Sequence, residues 1–174
     1  MLEKLKYNSR QKGFTLMEVF IAMSVLAIGV VGAFGVLPVM IKNQTMNADT
    51  FLASQIANEG VELVRNLRDS NWLKESPWDA GLIGSPNCVG TANPNVVDGC
   101  EIDYDDLVLQ ENLNRYLQKN SDGFYKYDIG LPNSKFKRKI AIQKVGLALN
   151  TIVVVSWDGK GSPFLVEENF YDWR

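Results

Sequence analysis

The stretch "KGFTLMEVFIAMSVLAIGVVGAFGVLP", residues 12–38, decides how this chain is organised. It is strongly apolar, and no charged residue occurs from Val19 to Ile41. An α-helix rises ~1.5 Å per residue, so this run is long enough to cross the ~30 Å hydrocarbon core of a bilayer. One acid, Glu18, directly precedes the uncharged run. Acids in spanning helices are costly and usually functional, so Glu18 needs an explanation.

Charge is distributed unevenly around this stretch. The chain of 174 residues has a net charge of −2, yet the residues before Gly13 are basic. They comprise Lys4, Lys6, Arg10 and Lys12 against Glu3. Because basic flanks stay in the cytoplasm, we expect a cytoplasmic N-terminus and an exported, mildly acidic body. The length suits one domain plus a membrane anchor.

Two ordinary explanations of the apolar run remain open at this point. A secretory signal peptide has a shorter apolar region of ~7–15 residues and a small-residue cleavage site. Here the closest match to such a site is "VGA" at 31–33. A plain signal anchor explains the length and the orientation but gives Glu18 no role. A carboxylate near a helix end can also reach the membrane interface, which keeps this second explanation open.

The segment "KGFTLMEVFIAMSVLAIGVV" closely resembles the N-terminus of type IV prepilins and pseudopilins. In that family a membrane peptidase cuts after a glycine and methylates the new terminal residue, and the fifth residue of the mature chain is a glutamate. The resemblance implies cleavage between Gly13 and Phe14, N-methylation of Phe14, and a role for Glu18 in assembly. Met17 stands where another aliphatic residue is more usual. The Gly29, Gly32 and Leu37 region looks most like minor pilins of the pilus-modification type.

Physical chemistry supports a role for Glu18 after such a cut. The new α-amino group on Phe14 would titrate near pH 8 and so be mostly protonated. Glu18 lies four residues further along, on the same helical face. A carboxylate moved from the lipid interface into a protein core needs a partner. The resemblance supplies one in the terminal amine of a neighbouring subunit, and Glu18 would then set the axial register of assembly.

Glycine and proline raise two further expectations for this helix. Gly29, Gly32 and Gly35 recur every three residues, which favours close helix packing in lipid. Glycine is also simply common in spanning helices. Pro38 lacks an amide donor, so we expect a kink or an opened turn there.

A helical pattern continues beyond Lys42 to about Ser70. Its apolar residues form one stripe, at Phe51, Ala53, Ile56, Ala57, Gly60, Val61, Val64 and Leu67. The expected fold is therefore α+β, with a long N-terminal helix packed on a small antiparallel sheet. The first half of the helix would be transmembrane and the second half amphipathic. The expected organisation is a cytoplasmic leader (1–13), a transmembrane assembly helix (14–41), an amphipathic half (42–70) and an exported globular domain (71–174).

Residues 71–100 are rich in Gly, Pro, Asn and Asp and predict a long irregular loop. Cys88 and Cys100 lie in it. An exported body permits a disulfide between them, worth on the order of 3 kcal/mol in the chain-entropy model. Two free buried thiols are the alternative.

Three strands are predicted in the last third of the chain. "KFKRKIAIQKV" places Phe136, Ile140 and Ile142 on one face and its lysines on the other. "NTIVVVSW" is dense in β-branched residues, and "FLVEENFYDWR" returns as a last strand. "WDGKGSPF" between these two predicts a hairpin loop. We expect an antiparallel sheet of three or four strands.

Two charged segments raise possible binding roles. The acidic segment has Asp98, Glu101, Asp103, Asp105 and Asp106, which could bind Ca²⁺, but a solvated loop is the commoner outcome. The basic segment "KFKRK" (135–139) could bind DNA, but lysines at a strand edge also prevent aggregation. We therefore expect no metal, no cofactor and no nucleic acid.

The chain has no histidine, so base-activated nucleophiles lack their usual partner, and we expect no enzyme activity. The expected function is that of a minor type IV pilin-like structural subunit. Its partners would be the prepilin peptidase, the inner membrane, the pilus assembly platform and other pilin subunits. It would start as a single-pass inner-membrane protein and end in an extracellular filament. The alternatives are a pseudopilin of a type II secretion system and a membrane-anchored binding module that never assembles.

Overall fold

The computed structural model describes residues 13–84, 88–90, 93, 98–127, 130–158 and 163–172. One helix, α1, spans Leu16–Leu73. The strands that follow it in the described residues are β1 (Cys100–Glu101), β2 (Gln110–Glu111), β3 (Gln118–Lys119), β4 (Tyr125–Lys126), β5 (Phe136–Val145), β6 (Ala148–Trp157) and β7 (Phe164–Tyr171). The chain divides into two compact units, residues 1–46 and 47–174.

The main sheet has the order β2-β1-β5-β6-β7, and all of its pairings are antiparallel. β3 and β4 form a separate two-stranded sheet. The three long strands and the α+β class predicted from the sequence are confirmed. The predicted number of strands is too low, because β1 and β2 have two residues each and are too short to show any hydrophobic period. The predicted hairpin loop after Trp157 falls largely on 159–162, outside the described residues.

The amphipathic part of α1 packs on the sheet in the second unit. The buried positions of its stripe are Ala53, Ile56, Ala57, Gly60, Val61 and Val64, as the sequence pattern predicted. Phe51 was also predicted to be buried, and this was wrong, since its side chain is 64 % exposed. The helix also continues past Ser70 to Leu73, which places Trp72 in the core.

Pro38 lies inside α1. The helix continues on both sides of it, so the expectation of an opened turn was wrong, and the alternative expectation of a kink stays a prediction. Proline removes one backbone N–H donor from the helix. An apolar helix tolerates this loss because its other backbone groups have no water to bond with in a membrane and therefore keep their helical hydrogen bonds.

The face of the sheet towards α1 is apolar and tightly packed. Across β5, β6 and β7, opposed residues pair in register, including Phe136 with Trp157, Ile140 with Val153, and Leu149 with Phe170. All six side chains are buried. This packing supplies the hydrophobic free energy that orders the second unit.

The basic segment of β5 does not form a solvated edge. β5 lies between β1 and β6, so the prediction that its lysines protect a sheet edge was wrong. Lys139 is buried, and its Nζ lies 2.6 Å from Asn93 O and 2.5 Å from Asp98 Oδ1. Lys135 Nζ contacts Asp49 Oδ1 at 2.5 Å. Lys139 is therefore a buried cation that is paired with a carboxylate, whereas Lys135 forms its ion pair at the surface.

Gly60 sits where α1 approaches β6 most closely. A Cβ at this position would lie 2.9 Å from Val153 Cγ1 and 3.2 Å from Arg138 Cδ.

We predict that Gly60→Ala lowers the free energy of unfolding by about 1–2 kcal/mol, because overpacking outweighs the ~1 kcal/mol gain in helix propensity. Chemical unfolding of the full chain in detergent micelles measures this. The exposed helix variant Asn58→Ala is the control and should be neutral or slightly stabilising. An equal increase in the free energy of unfolding for both variants would show that the space between the helix and the sheet accommodates a methyl group at Gly60.

Candidate processing and assembly site

Gly13 and Phe14 lie just before the start of α1. Both residues are exposed, and Phe14 is 82 % exposed. Neither has helical structure, so the peptide bond between them lies in extended chain that a protease can bind. Most of the predicted leader, residues 1–12, lies outside the described residues. The structure thus places the predicted cleavage position three residues before Leu16, the first residue of the helix.

Thr15 caps α1 and links Glu18 to the helix start. The backbone N–H of Glu18 donates to Thr15 Oγ1 at 3.2 Å, and the N–H of Val19 donates to Thr15 O at 3.2 Å. Thr15 is therefore the N-cap, and Glu18 occupies the third helical position, the spacing of a Thr-x-x-Glu capping box. Sequence reasoning missed this cap, although the four letters "TLME" contain its signal. Glu18 thus has a local role as an acid in the first turn, where the helix dipole favours it.

The first unit exposes its apolar side chains along the helix. Every large apolar side chain from Phe14 to Ile41 is exposed. Within α1, an 18-residue window has a mean hydropathy of 2.5, and none of it is buried. By length and composition this helix can cross a membrane, a test that signal sequences near an N-terminus also pass. An apolar surface this large marks a site of membrane or protein contact.

The glycines of this segment leave open space on the helix. A Cβ at Gly29, Gly32 or Gly35 would meet no atom within 4 Å. None of the three is therefore needed for packing within the described residues. Because these residues have no side chain, another helix can approach α1 closely at this face, as the sequence pattern suggested.

Cys88 and Cys100 form a disulfide with a Cα–Cα distance of 5.0 Å and a sequence separation of 12. Both cysteines lie beside β5. Cys100 is opposite Ile140 in the sheet, and the backbone N–H of Ile142 donates to Cys88 O at 2.8 Å. The disulfide therefore links two chain segments that both lie against β5. The disulfide predicted from the sequence is present, and the alternative of two free thiols is excluded.

The acidic segment is only in part the solvated loop that the sequence suggested, since Asp105 is exposed whereas Glu101 is buried. Glu101 is 1 % exposed, and its Oε2 accepts hydrogen bonds from Arg115 at 2.8 Å (Nε) and 2.7 Å (Nη2). Asp98 contacts Lys139, and Asp105 Oδ2 accepts from Lys126 Nζ at 2.7 Å. The carboxylates diverge to separate partners, and the described residues contain no group of three acids placed to hold a metal ion.

Asp103 has the most unusual electrostatics in this segment. Its carboxylate accepts from the Tyr127 backbone N–H at 3.1 and 3.3 Å. Burial, together with the nearby Asp106 carboxylate, raises the pKa of Asp103 from 3.8 to about 6 against the lowering effect of that hydrogen bond. By contrast, the hydrogen bond from Lys126 lowers the pKa of Asp105 and raises the pKa of Lys126.

Comparison with protein families gives one match. Residues 8–34 match the family described as "Prokaryotic N-terminal methylation motif". The chain has a type IV prepilin-like N-terminus. This motif implies processing by a prepilin peptidase and assembly with pilin subunits. Its matched residues include Gly13, Phe14 and Glu18, and they extend through the exposed apolar part of α1 to Phe34. Searches of curated proteins and of solved structures find no match for the chain.

Asp103 makes stability depend on pH in a specific direction. Its pKa is higher in the folded than in the unfolded state, so the folded state binds more protons between about pH 4 and pH 6. The free energy of unfolding should therefore fall as pH rises through this window, because the buried carboxylate becomes charged. We predict that Asp103→Asn, whose side-chain oxygen can still accept from Tyr127, removes this fall and raises Tm at pH 7.

The matched control is Asp105→Asn, an exposed carboxylate whose pKa is lowered by Lys126. This variant should not gain stability at pH 7. Thermal unfolding of both variants between pH 4 and pH 7 distinguishes them, and parallel pH profiles for Asp103→Asn and the unaltered chain would contradict the assignment.

Proposed function

We propose that this chain is a minor type IV pilin-like structural subunit and not an enzyme. Prepilin peptidase cuts it between Gly13 and Phe14 and methylates Phe14. The processed chain assembles into a cell-surface pilus through α1. The observation that carries this proposal is the juxtaposition of three features within residues 13–41. These are an exposed Gly-Phe bond, a capped helix start with Glu18 in its first turn, and a completely exposed apolar helix surface.

The proposed topology follows from charge and hydropathy. The basic residues before Gly13 stay in the cytoplasm, the apolar part of α1 lies in the inner membrane, and the second unit is exported. The buried disulfide supports export, since such bonds persist in oxidising compartments. Assembly by the pilus platform then moves the subunit from the membrane to the extracellular filament.

Glu18 is proposed to pair with the Phe14 amine of a neighbouring subunit. Before cleavage, its position near the helix start is favourable through the helix dipole and the Thr15 cap. Cleavage adds a positive amine at the same end of the helix, where the dipole disfavours it. A carboxylate on a neighbouring chain removes that penalty and is itself compensated when both groups leave water. This exchange of partners makes assembly dependent on processing.

A pseudopilin of a type II secretion system is the alternative that shares every observation above. The motif over residues 8–34 and the exposed apolar helix suit it equally. The membrane-anchored module that never assembles is favoured by no feature beyond the helix itself.

Processing gives the first test of the proposal. Co-expression with a prepilin peptidase should yield a mature chain that begins at Phe14 and carries one added methyl group, measured by intact mass and N-terminal peptide sequencing. We predict that Gly13→Leu abolishes cleavage, because the bulky side chain replaces the small residue at the cut. Met17→Leu changes the same segment conservatively and should be cleaved like the unaltered chain. Cleavage at 31–33, or none at all, would refute the proposal.

Substitution of Glu18 separates its capping role from its assembly role. Glutamine also suits the third position of a capping box, so Glu18→Gln should keep helix content, membrane insertion and cleavage. It lacks the charge that pairs with the amine, and loss of one partner of a buried ion pair costs several kcal/mol. We therefore predict at least about tenfold less incorporation into filaments, measured by immunoblotting of sheared pili.

The control for this test is Thr15→Ala, which weakens the cap by about 1 kcal/mol and leaves the charge in place. It should be incorporated nearly as well as the unaltered chain. Normal incorporation of Glu18→Gln, or an equal defect in both variants, would mean that Glu18 acts only in capping.

A further inference from the structure

β7 forms one end of the main sheet and pairs only with β6 among the described residues. It is eight residues long, whereas the strand at the opposite end, β2, has two. The outer backbone edge of β7 pairs with no other strand in the described part of the chain. An open edge of this length is a template for an additional strand unless side chains prevent it. Within β7, neither proline nor lysine protects the edge.

The side chains of β7 alternate between two environments. Phe164, Val166, Glu168 and Phe170 lie on the face towards α1, and Phe170 is buried. Leu165, Glu167, Asn169 and Tyr171 lie on the opposite face and are exposed.

The two glutamates of β7 differ in how they are compensated. Glu168 Oε1 lies 3.6 Å from Arg65 Nη2 of α1, so a cation of the fold already faces it. Glu167 Oε1 accepts from Asn150 Nδ2 at 2.5 Å, which positions the carboxylate without neutralising its charge. Among the described residues, no cation forms an ion pair with Glu167, which lies at the centre of the edge.

Charge disfavours pairing of β7 with a second copy of itself. In an antiparallel pair, opposed residues must lie on the same face, so the two registers with the longest overlap centre on Glu167 or on Glu168. The first places Glu167 opposite Glu167, and the second places Glu168 opposite Glu168. Parallel pairing through the same outer edge reverses the faces of one copy, so its longest registers are shifted by one residue and place Glu167 beside Glu168 of the other copy. Like charges directly opposite each other destabilise a strand pair.

We infer that the outer edge of β7 binds an extended segment of a different polypeptide chain by strand addition. The segment presents a lysine or arginine opposite Glu167 and apolar residues opposite Leu165 or Tyr171. Backbone hydrogen bonds along the strand provide the affinity, and the charge opposite Glu167 determines the specificity for the partner. The inference rests on the sheet in residues 136–171 and is independent of processing, assembly and the role of Glu18.

Two fluorescent peptides serve as probes in the test. One has the β7 sequence of residues 164–171, and the other has the same sequence with lysine in place of Glu167. Each is titrated by fluorescence anisotropy against the full chain and against its Glu167→Lys variant in detergent micelles. We expect the lysine peptide to bind the unaltered chain at least about fivefold more tightly than the glutamate peptide. We expect the order of affinities to reverse for Glu167→Lys.

Glu111→Lys is the matched control, since it makes the same charge change on β2 at the opposite end of the sheet. It should leave both affinities unchanged. Hydrogen exchange should show protection confined to β7 when the lysine peptide is bound. Absence of binding in all combinations, equal affinities for the two peptides, or protection away from β7 would each overturn the inference.

Discussion

The buried guanidinium of Arg138 is the interaction on which the folded second unit depends. Arg138 is 1 % exposed in the middle of β5, and its Nη2 donates to Ile102 O at 2.6 Å, just after β1. Its Nη1 lies 3.4 Å from Ile56 O and 3.3 Å from Glu59 Oε1, both on α1. The Tyr127 hydroxyl donates to the backbone carbonyl of Arg138 at 2.9 Å. One side chain therefore fixes the helix, the central strand and the short strand β1 relative to each other.

This polar centre also explains the spacing between the helix and the sheet. A buried charge must keep its partners, and movement of α1 away from β5 would separate Arg138 from the Glu59 carboxylate and from Ile56 O. Gly60 allows the helix to approach β6 closely enough for these contacts. Around this centre, the disulfide and the pair of Lys139 with Asp98 hold the segment before β1 against β5. Polar and covalent contacts thus position a segment that has little regular structure of its own.

The first unit follows a different physical rule from the second. In its described residues the apolar side chains of the helix are exposed, so local signals and hydropathy determine its structure. Thr15 caps it, Glu18 complements the dipole, and the apolar run remains helical even at Pro38. An exposed apolar helix in water is unfavourable, so this unit is completed by lipid or by other subunits. The second unit, by contrast, buries its own core.

Features that depend on consecutive residues were within reach of sequence reasoning, and several that depend on tertiary packing were not. The buried stripe on α1, the three long strands and the disulfide each follow a pattern that is visible in the sequence, whereas the cleavage position and the assembly role of Glu18 stay predictions. Phe51 was misassigned because, at 3.6 residues per turn, it lies on the side of the helix opposite Ala53 and Gly60. The burial of Arg138 and Lys139 was missed because strand alternation predicts a face but not what covers it. The raised pKa of Asp103 depends on packing that no spacing in the sequence encodes.

The sequence by itself determined the membrane-capable helix, the prepilin-like motif and the α+β class, because these depend on hydropathy and on periods of consecutive residues. Only the tertiary structure decided which charges are buried, which strand ends the sheet, and which carboxylate on that strand lacks a cation. Those properties arise from residues far apart in the chain. Glu168 lies near Arg65 across the helix–sheet interface, whereas Glu167, one residue away, accepts a hydrogen bond from the amide of Asn150 and has no ion-pair partner in the part of the chain that the structure describes.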